Sequence, residues 1–483
     1  MDRALEKRVG KNSLAIYGGR LANLIINLAA FVYLANYLGE TLYGRLSFVL
    51  TYVGFFDILV NAGCNQILVR ELAKGEIGRE RILGTGLWLR GISLVIGMFA
   101  CWACILALRY PAEVVYLVLI VSVNLLVSSR IASARSFFET VFQADLRMTL
   151  PMSLIFVDNL IFLGLVFWGG HRGAGVSEMA VAYTASNFFG FAVLAGRFFR
   201  ENTVTWRFDP RLASRLLSQS IPVMLYLAFS NLNTRLDVLL VSLLRDDAEV
   251  GLYTSATRLV LPLTLLSTPI TMSLFPVYSR AYRSDRMLFD RVLSTGLKLL
   301  LLLGLAIAAG LYFNGAWIYG LLYRQEYWAA APAFSLIAVA LGLMFLTFYL
   351  VEILIGVGRQ HLATVTMFSV LTCNVCLNWI LIQRGGYMGA AYTRLATALL
   401  SAVLFGLLVG RCTGTRLFRD MPRVAAVVGG TWFAAYAARG LFPPLQIVLV
   451  VGAMAAMVAI TGYFRPREWE LLARFVGRSE AQV

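Results

Sequence analysis

The chain has 483 residues, of which 59% are hydrophobic and only 14% charged, with a mean hydropathy of +0.75 and a net charge of +16. A soluble protein of this length carries about a quarter charged residues, so the composition excludes a soluble globular domain. The basic excess could point to nucleic acid, but its placement along the chain argues for membrane topology instead.

About 14 apolar stretches are each long enough, at roughly 17–25 residues, to cross a ~30 Å hydrocarbon core. In chain order they lie near 14–36, 45–69, 83–108, 113–131, 148–168, 178–196, 219–244, 250–277, 293–313, 331–354, 361–382, 388–410, 424–438 and 444–464. The run 424–438, followed by Pro443 and Pro444, is the shortest. The pattern predicts an all-α integral membrane protein. Most of the 42 Lys and Arg fall at the termini and in alternate loops. Arg45, Arg109, Arg172, Arg245, Arg324, Arg384 and Arg439 fall in the others. That asymmetry is the positive-inside pattern and predicts cytoplasmic N- and C-termini.

Arg20 interrupts the first apolar run and no small-residue cleavage site follows, so the segment reads as a retained span. Residues 465–476, "RPREWELLARFV", can form an amphipathic helix on the inner leaflet, with Trp469, Leu472 and Val476 on one face. Two Cys-x-x-Cys pairs, "CWAC" (101–104) and "CNVC" (373–376), lie within spans, and only two histidines exist. They read as apolar packing residues and not as a zinc or redox site. No GxxxxGK[ST] stretch is present, so ATP hydrolysis is not expected.

Two pieces of the first half recur in the second. "ETLYGRLSF" (40–48) resembles "AEVGLYTSA" (248–256), with Gly44 matching Gly251. "GGHRGAGVSEMAVAYT" (169–184) matches "GGYMGAAYT" (385–393). Six spans separate each copy from its partner, which preserves orientation and predicts parallel repeats with a site between them. The predicted organisation is a lobe of six spans (1–215), a second of six (216–411) and a C-terminal pair with its tail (412–483), the lobes being related by a pseudo-two-fold axis.

Charges within the spans are the candidate functional residues: Arg20, Arg90, Arg235, Arg258 and Arg394, with Asp57, Asp158, Asp237 and Glu352. Each charge at a helix centre costs about 2.5–3.5 kcal/mol, so nine facing lipid would cost on the order of 25 kcal/mol. They must face water or pair inside the bundle. Helical phase groups Arg20, Asn23 and Asn27, then Asp57, Asn61 and Asn65, then Tyr226, Ser230, Asn233 and Asp237, and then Arg394, Thr397 and Ser401. Arg235 falls on a different face of its helix from Asp237. The plain structural alternative is that each charge ties two helices together, Arg235 with Glu352 for instance. Arginines outnumber acids, however, and surplus guanidinium in a cavity suits a phosphate-bearing ligand.

With these residues in view the chain resembles the multidrug/oligosaccharidyl-lipid/polysaccharide (MOP) exporter superfamily, in its polysaccharide, O-antigen-type flippase branch. The resembling segments are "YLGETLYGRLSF", "LVNAGCNQILVREL", "NTRLDVLLV", "VGLYTSATRLV", "LFPVYSR" and "GYMGAAYTRLAT". The resemblance implies two six-helix lobes around a cationic cavity. It also implies transport of undecaprenyl-pyrophosphate-linked oligosaccharide from the inner to the outer leaflet of the bacterial cytoplasmic membrane by alternating access. Substrate binding would fall to Arg20, Arg90, Arg235, Arg258, Arg394, Asn23, Asn27 and Asn233. Asp57, Asp158, Asp237 and Glu352 would serve as cavity or coupling acids. Asn61 stands where family members often carry an acid, which argues against a coupling carboxylate there.

The expected partners are the lipid-linked substrate, membrane lipids and polysaccharide polymerase or glycosyltransferase machinery, with no nucleic acid, around a monomeric transporter that is not an enzyme. No cofactor is expected; Na+, H+ or the membrane potential would supply the drive. The rival readings are lipid II export for peptidoglycan and a cation-coupled drug antiporter of the same superfamily. A membrane glycosyltransferase, polymerase or ligase would need a sizeable outer loop, and the longest outer segment, about 314–330, offers only Arg324 and Glu326 as charged groups.

Overall fold

A computed structural model describes residues 3–61, 63–415, 420–466 and 468–470. Most of the tail in which an amphipathic helix is expected, from 471 on, lies outside them. Among the described residues every regular element is helical. Ten helices among these residues are long and apolar enough to cross a membrane.

Two of these long helices contain a break that sequence hydropathy reads as a loop. Arg3–Phe55 kinks at Gly39 (φ 74°) and Gln360–Thr413 at Gly386 (φ 58°). A side chain disfavours positive φ, so glycine is what lets the chain turn there without a long connection. Dividing the chain at those two glycines turns ten spans into twelve. The shorter apolar helix Ala112–Val127 makes thirteen, and the 17-residue helix Met421–Ala437 stands where the remaining one of the fourteen expected passes is read.

Two compact units emerge, residues 1–251 and 252–483. The seventh-span helix, Pro210–Leu244, belongs to the first unit by contact. Its start is fixed by Asp209, whose side chain caps the Arg211 and Leu212 amides, with Pro210 in the first turn. Lower on the same helix Ser220 donates to Cys64, at the point where the second span is interrupted. An aromatic cluster of Phe137, Phe138, Phe142 and Phe198 joins Leu68 and Leu83 in the core of this unit. Phe138 and Phe198 meet edge to face at 5.0 Å.

The matched glycines of the repeat pack against each other. A Cβ on Gly44 would strike the Asp247 carbonyl and the Gly251 amide, and one on Gly251 would strike the Glu40 carbonyl. In a membrane, where apolar burial gives helices little reason to associate, such small-residue contacts let backbones approach and gain dispersion energy. Arg45 sits beside this crossing and binds both Asp247 (2.9 Å) and Glu113 (2.5 Å).

In the second unit the C-terminal pair, Met421–Ala437 and Pro443–Ile460, packs on helix Arg286–Leu322 through Leu305, Val427, Tyr463 and Phe464. A buried ion cluster reinforces this docking. Lys298 Nζ lies 2.8 Å from both Asp420 and Glu468, and Arg465 lies 2.6 Å from Asp420. Charge patterning does not single out Lys298, because it stands near the end of its span where a lysine normally reaches water.

Candidate functional site

The first unit carries most of the polar residues expected inside the bundle. Asn23 and Asn27, one turn apart on the first span, both meet Asn159 of helix Thr149–His171. Asn27 Nδ2 donates to Asn159 Oδ1 (3.0 Å), and Asn159 Nδ2 donates to Asn23 Oδ1 (2.8 Å). Arg20, one turn earlier on the same face, is exposed. Behind the amides stands Arg130, which is not among the in-span charges singled out above. Its Nε donates to Asn159 Oδ1 (3.0 Å) and its guanidinium packs 4.8 Å from the ring centres of Phe162 and Tyr183.

The second span is interrupted between helices Arg3–Phe55, Asp57–Asn61 and Cys64–Lys74. Arg90, buried in helix Arg79–Ala107, serves that interruption. It donates to the Val60 carbonyl (2.8 Å) and to the side chains of Asn61 (3.4 Å) and Asn65. A broken helix inside a membrane leaves carbonyls that need donors, and a guanidinium supplies several at once. Asn61 therefore acts as a partner of Arg90.

Asp57 starts the short helix on the far side of the break and pairs with Arg235 at 3.2 Å; Arg235 also donates to the Gly54 carbonyl. The pairing of Arg235 with Glu352 offered above is thus replaced by Arg235 with Asp57, because the interrupted second span puts its carboxylate and a spare carbonyl beside the seventh. The Arg235 side chain keeps 25% exposure, whereas Asp237 is fully buried. Tyr226, Ser230, Asn231 and Asn233 are all half-buried, so helical phase alone does not divide this helix into a wet and a dry face.

Asp158 is also fully buried and is engaged structurally. It takes a 2.5 Å bond from Arg135, accepts from the Gly190 amide (2.9 Å), and a Cβ on Gly190 would strike its carboxylate. Arg135 has no exposed surface and lies 3.5 Å from Glu139 as well. In the sequence it stands in a polar stretch that reads as a loop. The available signal was the apolar face of the short helix Arg135–Ala144, with Phe137, Phe138, Val141 and Phe142 buried.

In the second unit Arg258 is half-buried near the end of helix Asp247–Val260. Arg394, Thr397 and Ser401 share a face, as expected, and all three are buried. Asn374 reaches Thr397 (3.5 Å) and receives a bond from Asn378 (3.0 Å). Glu352 is half-buried on helix Ala331–Gly356. The candidate residues are therefore not one cluster. Arg20, Asn23 and Asn27 form an accessible track, Arg90 and Asp158 serve internal pairing, and Arg394 lies within helix packing.

The sequence matches the family described as polysaccharide biosynthesis protein over residues 9–282, and that described as lipid II flippase MurJ over residues 160–459. The chain belongs to the polysaccharide biosynthesis protein family of the MOP exporter superfamily. It is a multi-pass membrane protein. An uncharacterized membrane protein, MJ1068, of Methanocaldococcus jannaschii is 27% identical over 249 residues. The match covers 50% of this chain and 48% of that one, so the chain spans about half the length of that curated relative.

Among solved structures, lipid II flippase MurJ in an inward closed conformation matches with a TM-score of 0.73 at 14% identity, over 93% of this chain and 98% of that one. A point mutant of the Vibrio cholerae MATE transporter VcmN gives 0.59 at 15% identity, over 86% and 98%. An inward-facing multidrug resistance MATE transporter gives 0.61 at 16%, over 83% and 99%. These likenesses establish the two-lobed fold of that superfamily.

Proposed function

We propose that this protein is a flippase that carries undecaprenyl-pyrophosphate-linked oligosaccharide, a surface-polysaccharide repeat unit, across the bacterial cytoplasmic membrane by alternating access. The observation that carries this reading is the track on the first span. An exposed guanidinium, Arg20, stands one turn from a chain of amides, Asn23, Asn159 and Asn27. Guanidinium matches the fork of a phosphate, and amides both donate to and accept from sugar hydroxyls. Arg258, half-buried in the second unit, is a further guanidinium of the same chemistry. The working division is the lobes 1–215 and 216–411 with the segment 412–483 added, both termini cytoplasmic, in a monomer that meets glycosyltransferase or polymerase machinery through its lipid-linked substrate. An inside-negative potential favours anion exit by about 2.3 kcal/mol per charge per 100 mV; Asp237 and Glu352 are the acids that would couple Na+ or H+ if an ion drives the cycle.

The drug-antiporter reading favours acids over arginines in the cavity, and in the first unit Asp57 and Asp158 are each held by an arginine, which leaves Asp237 as the acid it would use there. Lipid II export is the second reading, favoured by the MurJ family match over residues 160–459. Cells in which the chain is replaced by Arg20→Ala or Arg258→Ala decide the matter. Folded variant should remain in the membrane while lipid-linked precursor stays on the inner leaflet, with lysine restoring only part of the transport. Normal surface glycan in both alanine variants would overturn the reading. Loss of peptidoglycan synthesis with surface glycan unchanged would select lipid II.

A further inference from the structure

We propose that Arg130 is a positioning residue that sets the hydrogen-bond polarity of the first-span amide track and makes the Asn27 carbonyl an acceptor for a sugar hydroxyl or amide N–H. The inference rests on the proposed flippase reading.

Arg130 lies in the turn between helices Asn124–Val127 and Arg135–Ala144, among spans one, five and six. Its guanidinium is clasped by Phe162 and Tyr183, each 4.8 Å from the ring centre, and Nη1 reaches Ser186 Oγ at 3.3 Å. Two aromatic faces and a hydroxyl fix the plane of the fork, so Nε can point only at Asn159.

A guanidinium donates and never accepts. Asn159 must therefore turn its carbonyl toward Arg130, and that same oxygen receives Asn27 Nδ2 at 3.0 Å. Its amino group is then obliged to face Asn23, whose Oδ1 it meets at 2.8 Å, while Asn23 Nδ2 is spent on the Gly19 carbonyl at 2.7 Å. Two groups impose the same amide orientation on the track: the acceptor-only Gly19 carbonyl at its end and the donor-only Arg130 at its back. The consequence falls on Asn27. One N–H of its amino group is committed to Asn159, and its carbonyl takes no bond among the described residues, so the half-buried side chain turns an acceptor away from Asn159. A neutral residue at 130 would leave that orientation held by the Gly19–Asn23 end alone and let Asn159, and Asn27 with it, turn over in part of the population. The track would then offer a donor where it now offers an acceptor.

The test uses the purified full chain and two probes: a polyprenyl pyrophosphate carrying one N-acetylglucosamine and the same polyprenyl pyrophosphate without the sugar. Wild type should bind the sugar-bearing probe more tightly. Arg130→Met should weaken that probe about five-fold, the worth of one neutral hydrogen bond, and leave the bare probe alone. Arg130→Lys, also donor-only, should keep most of the preference. Asn27→Leu, in a background where Arg130 is intact, should lose the preference as Arg130→Met does and serves as the deciding variant if Arg130→Met does not fold. Preference retained in Arg130→Met or Asn27→Leu, equal weakening of both probes, or no preference in wild type overturns the proposal. Wild type that binds neither probe overturns the flippase reading beneath it.

Discussion

Arg235 on the seventh span and Asp57 on the second form a 3.2 Å ion pair inside the first unit, and the same guanidinium closes on the Gly54 carbonyl. The arginine is thereby tied to the weakest point of the second span, where the helix is interrupted. Arg235→Ala should lower both the membrane level and the melting temperature in detergent, because it strands a carboxylate that is only 5% exposed. Asp57→Asn should cost less, since the amide can still accept from Arg235. Asp237→Asn should keep protein level and reduce transport. An unchanged melting temperature in Arg235→Ala would remove the pairing role.

The crossing of Gly44 with Gly251 leaves no room for a methyl group. Gly44→Ala and Gly251→Ala should each destabilise the protein by more than the small gain alanine usually brings to a helix, about 1 kcal/mol, so the net shift in melting temperature should be downward. A rise in either variant would show that the helices there are not in close contact.

Lys298 holds two acids, and removing it leaves Asp420 and Glu468 facing each other without their shared cation. Lys298→Met should speed amide hydrogen exchange across helix Met421–Ala437 while leaving helix Thr149–His171 in the other unit unchanged. Equal exchange in both helices would mean the ion cluster does not dock the C-terminal pair.

Asp209 gives a pH dependence whose sign is fixed. The Leu212 amide and then Arg81 hold its carboxyl below the usual carboxylate range. A depressed value in the folded state means the contribution is complete above the unfolded value of about 3.9 and is lost as pH falls through the lower folded value. The melting temperature of wild type should therefore drop more steeply below about pH 4 than that of Asp209→Asn. Parallel curves would contradict the cap.

The number of passes and the in-span charges were legible because hydropathy and charge cost act on each residue separately. The breaks at Gly39 and Gly386 were legible as gaps between apolar runs but not as sharp turns, since nothing in the sequence marks a glycine for positive φ. Arg130 and Arg135 were hidden for a related reason. Arg135 stands in a polar stretch that reads as a loop, and Arg130 at the very end of the apolar run 113–131, where an arginine normally reaches water; only the fold returns both to the interior. Arg90 stood out correctly as an in-span charge, but its role in satisfying a broken helix depends on an interruption that the apolar pattern of the second span conceals.

Transport by purified protein in sealed vesicles addresses the flippase reading without cellular complications. A fluorescent undecaprenyl-pyrophosphate-linked disaccharide would be placed on one leaflet and its arrival on the other followed with a membrane-impermeant quencher. Wild type should move the probe, Arg20→Ala and Arg258→Ala should slow it by at least ten-fold, and Arg20→Lys should fall between. Transport at the wild-type rate in both alanine variants, or a wild type that leaves the probe where it was placed while exporting a cationic dye, would contradict a cationic flippase.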